Sequence, residues 1–81
     1  MRLDKFLKVS RVIKRRTVAN EACDLGRVKV NDKVVKAFYD VKVGDILEIK
    51  FGENWVKFEV LNITPTIKKE EAESMVKLIE E

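Results

Sequence analysis

The apolar residues of this chain change their spacing twice, and those changes dictate its class of fold. Up to Leu25 they follow the three-and-four interval of a helix. Leu3, Phe6 and Leu7 form one stripe, and Val18, Ala19, Ala22, Cys23 and Leu25 supply a second buried side made mostly of small residues. After Gly26 they alternate: Val28 and Val30, then Leu47, Ile49 and Phe51, then Val56, Phe58 and Val60. That is the period of a half-buried strand. From Ala72 the helical interval returns at Met75, Val76 and Ile79.

The punctuation agrees with these periods. A first helix is expected over residues 2–8, with Ser10 as a bend or cap. A second is expected from Thr17, whose hydroxyl can cap its first turn, to Gly26, which takes a left-handed C′ position at little cost. Strands are expected over 27–30, 33–36, 46–51 and 55–60, with turns at Asn31-Asp32, Gly44-Asp45 and residues 52–54. Thr66 caps a last helix over 67–80, with Glu70 and Glu71 near its positive end and Glu73 one turn from Lys77. The order is α-α-β-β-β-β-α. An α+β unit of 81 residues has room for one small core.

Several chemistries are ruled out by residue type. With no His and a single Cys, the chain forms no intrachain disulfide, no ordinary structural zinc site and no histidine-based triad. Cys23 reads as a buried, inert thiol. Carboxylates and lysines are present, but no pair of them is marked out as a catalytic site, and no cofactor is expected. No run approaches the roughly 20 apolar residues of a membrane span. Lys5, Lys8, Arg11 and Lys14 interrupt any signal-like apolar run, so a cytoplasmic protein is expected.

Charge is the informative property. Residues 1–50 carry thirteen Lys/Arg against seven Asp/Glu, whereas residues 51–81 carry four against seven. From Lys5 to Arg16 there are six cations (Lys5, Lys8, Arg11, Lys14, Arg15 and Arg16) and no acid. The last three adjoin a helix start, where free N–H groups favour anions. Arg2, Lys5 and Lys8, three residues apart, can share the solvent side of the first helix. This is the pattern of a polyanion-binding surface. A merely solvated face is the competing reading. Against an anionic membrane, the apolar stripe is narrow and needed for the core.

The order of residues separates RNA from DNA. Arg2-Leu3-Asp4-Lys5-Phe6-Leu7, Ser10-Arg11, Lys14-Arg15-Arg16-Thr17, Ala22, residues 25–31 (Leu-Gly-Arg-Val-Lys-Val-Asn) and residues 41–45 (Val-Lys-Val-Gly-Asp) together resemble the S-four RNA-binding domain, also called the alpha-L RNA-binding motif. The resemblance runs ungapped over residues 1–50. It implies two N-terminal helices packed on a small, bent, mainly antiparallel sheet, with 51–81 as a strand and helix extension of the same unit. It also implies binding of structured RNA, chiefly ribosomal, through the helices and the adjoining loop. The opening eleven residues and Lys-Lys-Glu-Glu-Ala at 68–72 further resemble the heat-shock-protein-fifteen-like group, and within it the small cofactors of ribosome quality control.

That group implies a function. The partners are large-subunit ribosomal RNA and peptidyl-tRNA on a stalled, split large subunit, and a tail-adding factor of the RqcH/NEMF type. The protein supports alanine tailing of the nascent chain, acts as a monomer, touches no membrane and catalyses nothing. Carried onto this chain, the RNA-contacting residues are Arg2, Lys5, Arg11, Lys14, Arg15, Arg16 and Thr17, led by Arg2 and Arg16, with Lys8 and Lys29 as weaker additions. Asp4 suits the orienting of a neighbouring arginine better than contact with phosphate.

Other residues read as structural. Trp55 covers core rather than stacking on a base, Phe38-Tyr39 packs rather than facing RNA, and the C-terminal glutamates form a solvated helix face. Three rivals stand beside the RNA reading of quality control. One is a heat-shock-like recycling factor for stalled large subunits. Another is a piece of an RNA-modifying enzyme, against which Met1 heading the motif and the helical finish favour a stand-alone chain. The third is a protein-interaction module that uses its acidic end.

Overall fold

A computed structural model of the chain describes residues 1–64 and 74–79. Two helices, α1 (Leu3–Val9) and α2 (Arg16–Asp24), precede the strands β1 (Val28–Val30), β2 (Lys33–Val34), β3 (Ile46–Phe51), β4 (Asn54–Val60) and β5 (Val76–Ile79). The strands form one sheet in the order β2-β1-β3-β4-β5, each antiparallel to its neighbours.

The core lies between the helices and one sheet face. Leu3, Phe6 and Leu7 of α1 and Ala19 and Cys23 of α2 are fully buried there, with Val28, Val30, Leu47, Ile49 and Val60 from the strands. Register explains the sheet's contribution: Val28 opposes Ile49 and Val30 opposes Leu47, so all four side chains share a face. The small residues of α2 let it lie close against α1. Val18 and Leu25, expected in that buried side, are instead exposed, at 47% and 64%. On a nine-residue helix that buries Ala19 and Cys23, Val18 and Leu25 turn too far from the buried line.

Both helix ends are set by left-handed residues. After α2, Gly26 (φ 72°) bonds to the Cys23 carbonyl at 3.1 Å, and the Arg27 N–H bonds to Ala22 at 2.9 Å. This paired closure is the Schellman motif. After α1, Arg11 occupies the equivalent place at φ 63°, its N–H bonded to the Lys8 carbonyl at 3.1 Å. Asn31 and Asp32, both at positive φ, make the expected tight turn between β1 and β2. Gly52 and Glu53 alone close the β3–β4 hairpin, so Asn54 joins the strand.

The C-terminal helix needs correction. Of its expected residues, Val76–Ile79 form strand β5, in register with residues 57–60 of β4. Residues 67–73 and 80, with Glu70, Glu71, Glu73 and the Thr66 cap, lie outside the described residues. Met75, Val76 and Ile79 fit a helical stripe, but β4 would otherwise present an open edge. Pairing satisfies that edge, and the Met75 carbonyl accepts the Leu61 N–H at 2.8 Å while its side chain is fully buried. Strand β2 is shorter than expected, ending at Val34.

Loop 35–45 positions α1. The buried Asp45 carboxylate accepts bonds from Asn31 Nδ2 (3.1 Å), the Tyr39 hydroxyl (3.2 Å) and the Lys42 N–H (2.9 Å). Thus held, the loop offers its Tyr39 and Ala37 carbonyls to the N–H groups of Leu3 and Asp4, at 2.8 and 3.2 Å.

Candidate nucleic-acid interface

The site is built around a carboxylate. Asp4 stands on the inner side of α1 between Leu3 and Leu7 and is 3% exposed. A charge there needs partners. Arg2 approaches it with Nε at 3.3 Å and Nη2 at 3.5 Å, and Arg16 with Nε and Nη2, both at 3.4 Å. Asn20 Nδ2 donates at 3.3 Å and the Lys5 N–H at 2.8 Å. Burial alone pushes the Asp4 carboxyl up. The bonds from Asn20, Arg16 and Lys5, with the Arg16 charge, more than offset this and hold it below the ordinary carboxylate value.

Both arginines use the side edge of the guanidinium, Nε with Nη2. Among the described residues nothing takes up Nη1 or the end edge of either fork, and the two side chains are 53% and 48% exposed. A second anion can therefore be bound in the bidentate manner that suits phosphate.

The start of α2 adds further donors. Its N-cap is Arg15, in extended conformation, so Thr17 sits inside the first turn and does not cap it as the sequence suggested. Among the described residues the Thr17 hydroxyl and the N–H groups of Arg16, Thr17 and Val18 have no acceptor. The first N–H groups of α1, by contrast, are occupied by loop 35–45. Among the described residues, α2 is the helix that offers an open N-terminus to an anion. Asp4, Arg16, Thr17, Asn20 and Glu21 line a shallow depression of about 400 Å³ there.

Lys8, Arg11 and Lys14 line a second concavity of about 410 Å³. Lys8 lies one turn beyond Asp4, roughly 6 Å along the axis. Among the described residues Lys5, Lys8, Arg11, Lys14 and Arg15 have no carboxylate partner. Lys5 is half-buried and the others are exposed. The structure thus brings Arg16 and Thr17 to one depression, with Arg2 joined to it through Asp4, and Lys8, Arg11 and Lys14 to another. Lys29 is apart from both. It alternates with buried Val28 and Val30, so it projects from the sheet face away from the helices, its Nζ 4.4 Å from the Trp55 ring centroid.

Two aromatic expectations change. Trp55 stands on that outer face, 38% exposed, with Lys29 across its ring, and does not cover the core. Phe38 is 71% exposed in the loop that caps α1, whereas its neighbour Tyr39 packs against the core as expected. Asn20 was not legible as a site residue. Its only signal was its place one turn after Arg16. Cys23 is buried as expected. Burial, then the nearby Asp4 and Asp24 charges, push its thiol up to about 11.

The S4 domain family model matches residues 1–47. Over all 81 residues the chain is 53% identical to a protein of Halalkalibacterium halodurans named RQC P-site tRNA stabilizing factor, covering 92% of that protein. It is 52% identical to the Bacillus subtilis protein of the same name, covering 100% of this chain and 94% of that one. Among solved structures, heat shock protein 15 of Vibrio cholerae superposes with a TM-score of 0.88 at 24% identity, over 98% of this chain and 81% of that chain.

Proposed function

This chain belongs to the S4 domain family, in the group of the RQC P-site tRNA stabilizing factors, and from that premise we propose that it is a non-enzymatic RNA-binding protein of ribosome quality control. It seats on the RNA of a large ribosomal subunit that retains peptidyl-tRNA after a stalled ribosome splits. There it steadies the tRNA while a tail-adding factor of the RqcH/NEMF type extends the nascent chain with alanine. It works as a monomer, in the cytoplasm, on the ribosome.

The observation that carries this reading is the pair of arginines gathered on one buried carboxylate beside an open helix N-terminus. Each half of that arrangement binds phosphate oxygens, and neither half needs a particular base. Folded RNA is recognised in this way, by the path of its backbone and by its shape. Lys5, Lys8, Arg11, Lys14 and Arg15 add charge along the same helical layer.

The test uses Lys14 and Arg15, because both are exposed and neither has a carboxylate partner among the described residues. A K14E/R15E variant should keep its melting temperature and lose on the order of tenfold in affinity for large subunits carrying tRNA near 0.1 M salt. Undiminished binding would sink the assignment. Charge reversal at Arg16 is a poorer probe, since it sets a second carboxylate against Asp4. Electron microscopy of native complexes should find the protein against peptidyl-tRNA on split large subunits. Finding it instead without tRNA would favour a recycling role.

A further inference from the structure

We infer that Asp4 is a positioning residue: one buried carboxylate, braced by Asn20, presets Arg2 and Arg16 at a fixed spacing for two phosphate oxygens of the bound RNA. This rests on the proposed function and adds a residue that a simple charge argument would exclude, since an acid amid cations repels phosphate.

The geometry distinguishes positioning from general stabilisation. An acidic residue in the first turn of α1 already stabilises the helix. The Lys5 N–H bond at 2.8 Å belongs to that role, and an asparagine oxygen can accept it equally. The remaining contacts do something else. They tie together residues 12 and 16 positions away in sequence, Arg16 and Asn20, and they take up the same side edge on both guanidinium groups. Free arginine side chains sample many rotamers, and ordering each on binding costs about 0.5–1.5 kcal/mol. Here that ordering precedes binding. Asn20 reaches Oδ2, the oxygen that Arg16 Nε and Arg2 Nη2 also approach, and so limits swing of the carboxylate.

The consequence has an unusual sign. D4N makes the surface more positive by one charge, so electrostatics alone predicts tighter RNA binding. Positioning predicts weaker binding. With the full-length protein and isolated bacterial large subunits carrying tRNA, D4N should bind about tenfold more weakly at fixed salt, the size of a lost charge-assisted geometry. In the free protein the Nε–Hε signals of Arg2 and Arg16 should be resolved and slowly exchanging in ¹⁵N NMR, and should be lost in D4N. N20A leaves the charge and the α1 turn untouched and should lose affinity in the same direction by a smaller factor. It keeps the inference testable if D4N folds poorly.

The outcomes separate cleanly. Wild-type protein that fails to bind the subunits overturns the proposed function. Wild-type binding, with D4N or N20A binding equally or more tightly, overturns this inference alone. So do unchanged arginine signals in D4N.

Discussion

At the scale of single residues, the site uses costly positions. Asp4 is charged and buried, and Arg11 adopts a left-handed backbone where glycine would be cheapest. For a residue with a Cβ that conformation costs about 1–2 kcal/mol. The chain accepts the cost and keeps a guanidinium in the concavity with Lys8 and Lys14. Replacing Arg11 by glycine should therefore separate stability from binding. R11G is expected to hold or raise stability by up to about 1 kcal/mol, read by urea denaturation, while weakening RNA affinity. A clear loss of stability would show that the side chain, and not only the turn, supports the fold.

Among the elements, α2 and β5 matter most. α2 presents an open N-terminus because its neighbour α1 has its own first N–H groups taken by loop 35–45. Two helices of similar length thus differ in how far their first N–H groups are taken up. β5 covers the edge of β4 and brings Met75 into the core at no exposure. M75A should cost about 2–4 kcal/mol, read as a shift in urea midpoint. On a solvated helix the same change would be close to neutral, so this measurement also tests the strand.

For the whole molecule, the governing property is polarity of charge. The first 50 residues carry thirteen cations and seven acids, and the rest four and seven. Lys5, Lys8, Arg11, Lys14 and Arg15, none with a carboxylate partner among the described residues, all belong to α1, α2 or the turn between them. If about four to six phosphates are engaged, log K should fall against log salt with a slope of about −3 to −5. A flat response in filter binding would exclude a phosphate-tracking surface. No described helix is long and apolar enough to cross a membrane.

The sequence by itself determined the periods, the turns and the cationic segment. Leu3-Phe6-Leu7, the Val28–Val30 alternation, the closure at Gly26 and strand β3 are local patterns, and local patterns are read from neighbours in the chain. Its resemblance to a known domain suggested Arg2 and Arg16 as candidate RNA contacts and an orienting role for Asp4, which the predicted variants test. Tertiary structure decided what depends on distant partners. Asn20 joins the site only because α2 packs on α1. Thr17 lies inside α2 because the helix begins one residue earlier. Phe38 is exposed because its loop is fastened by Asp45. Met75, Val76 and Ile79 satisfied helical spacing on their own, and became core residue and strand only through the unpaired edge of β4. Backbone groups seek partners wherever the fold supplies them, and periodicity in one segment carries no record of an open edge elsewhere.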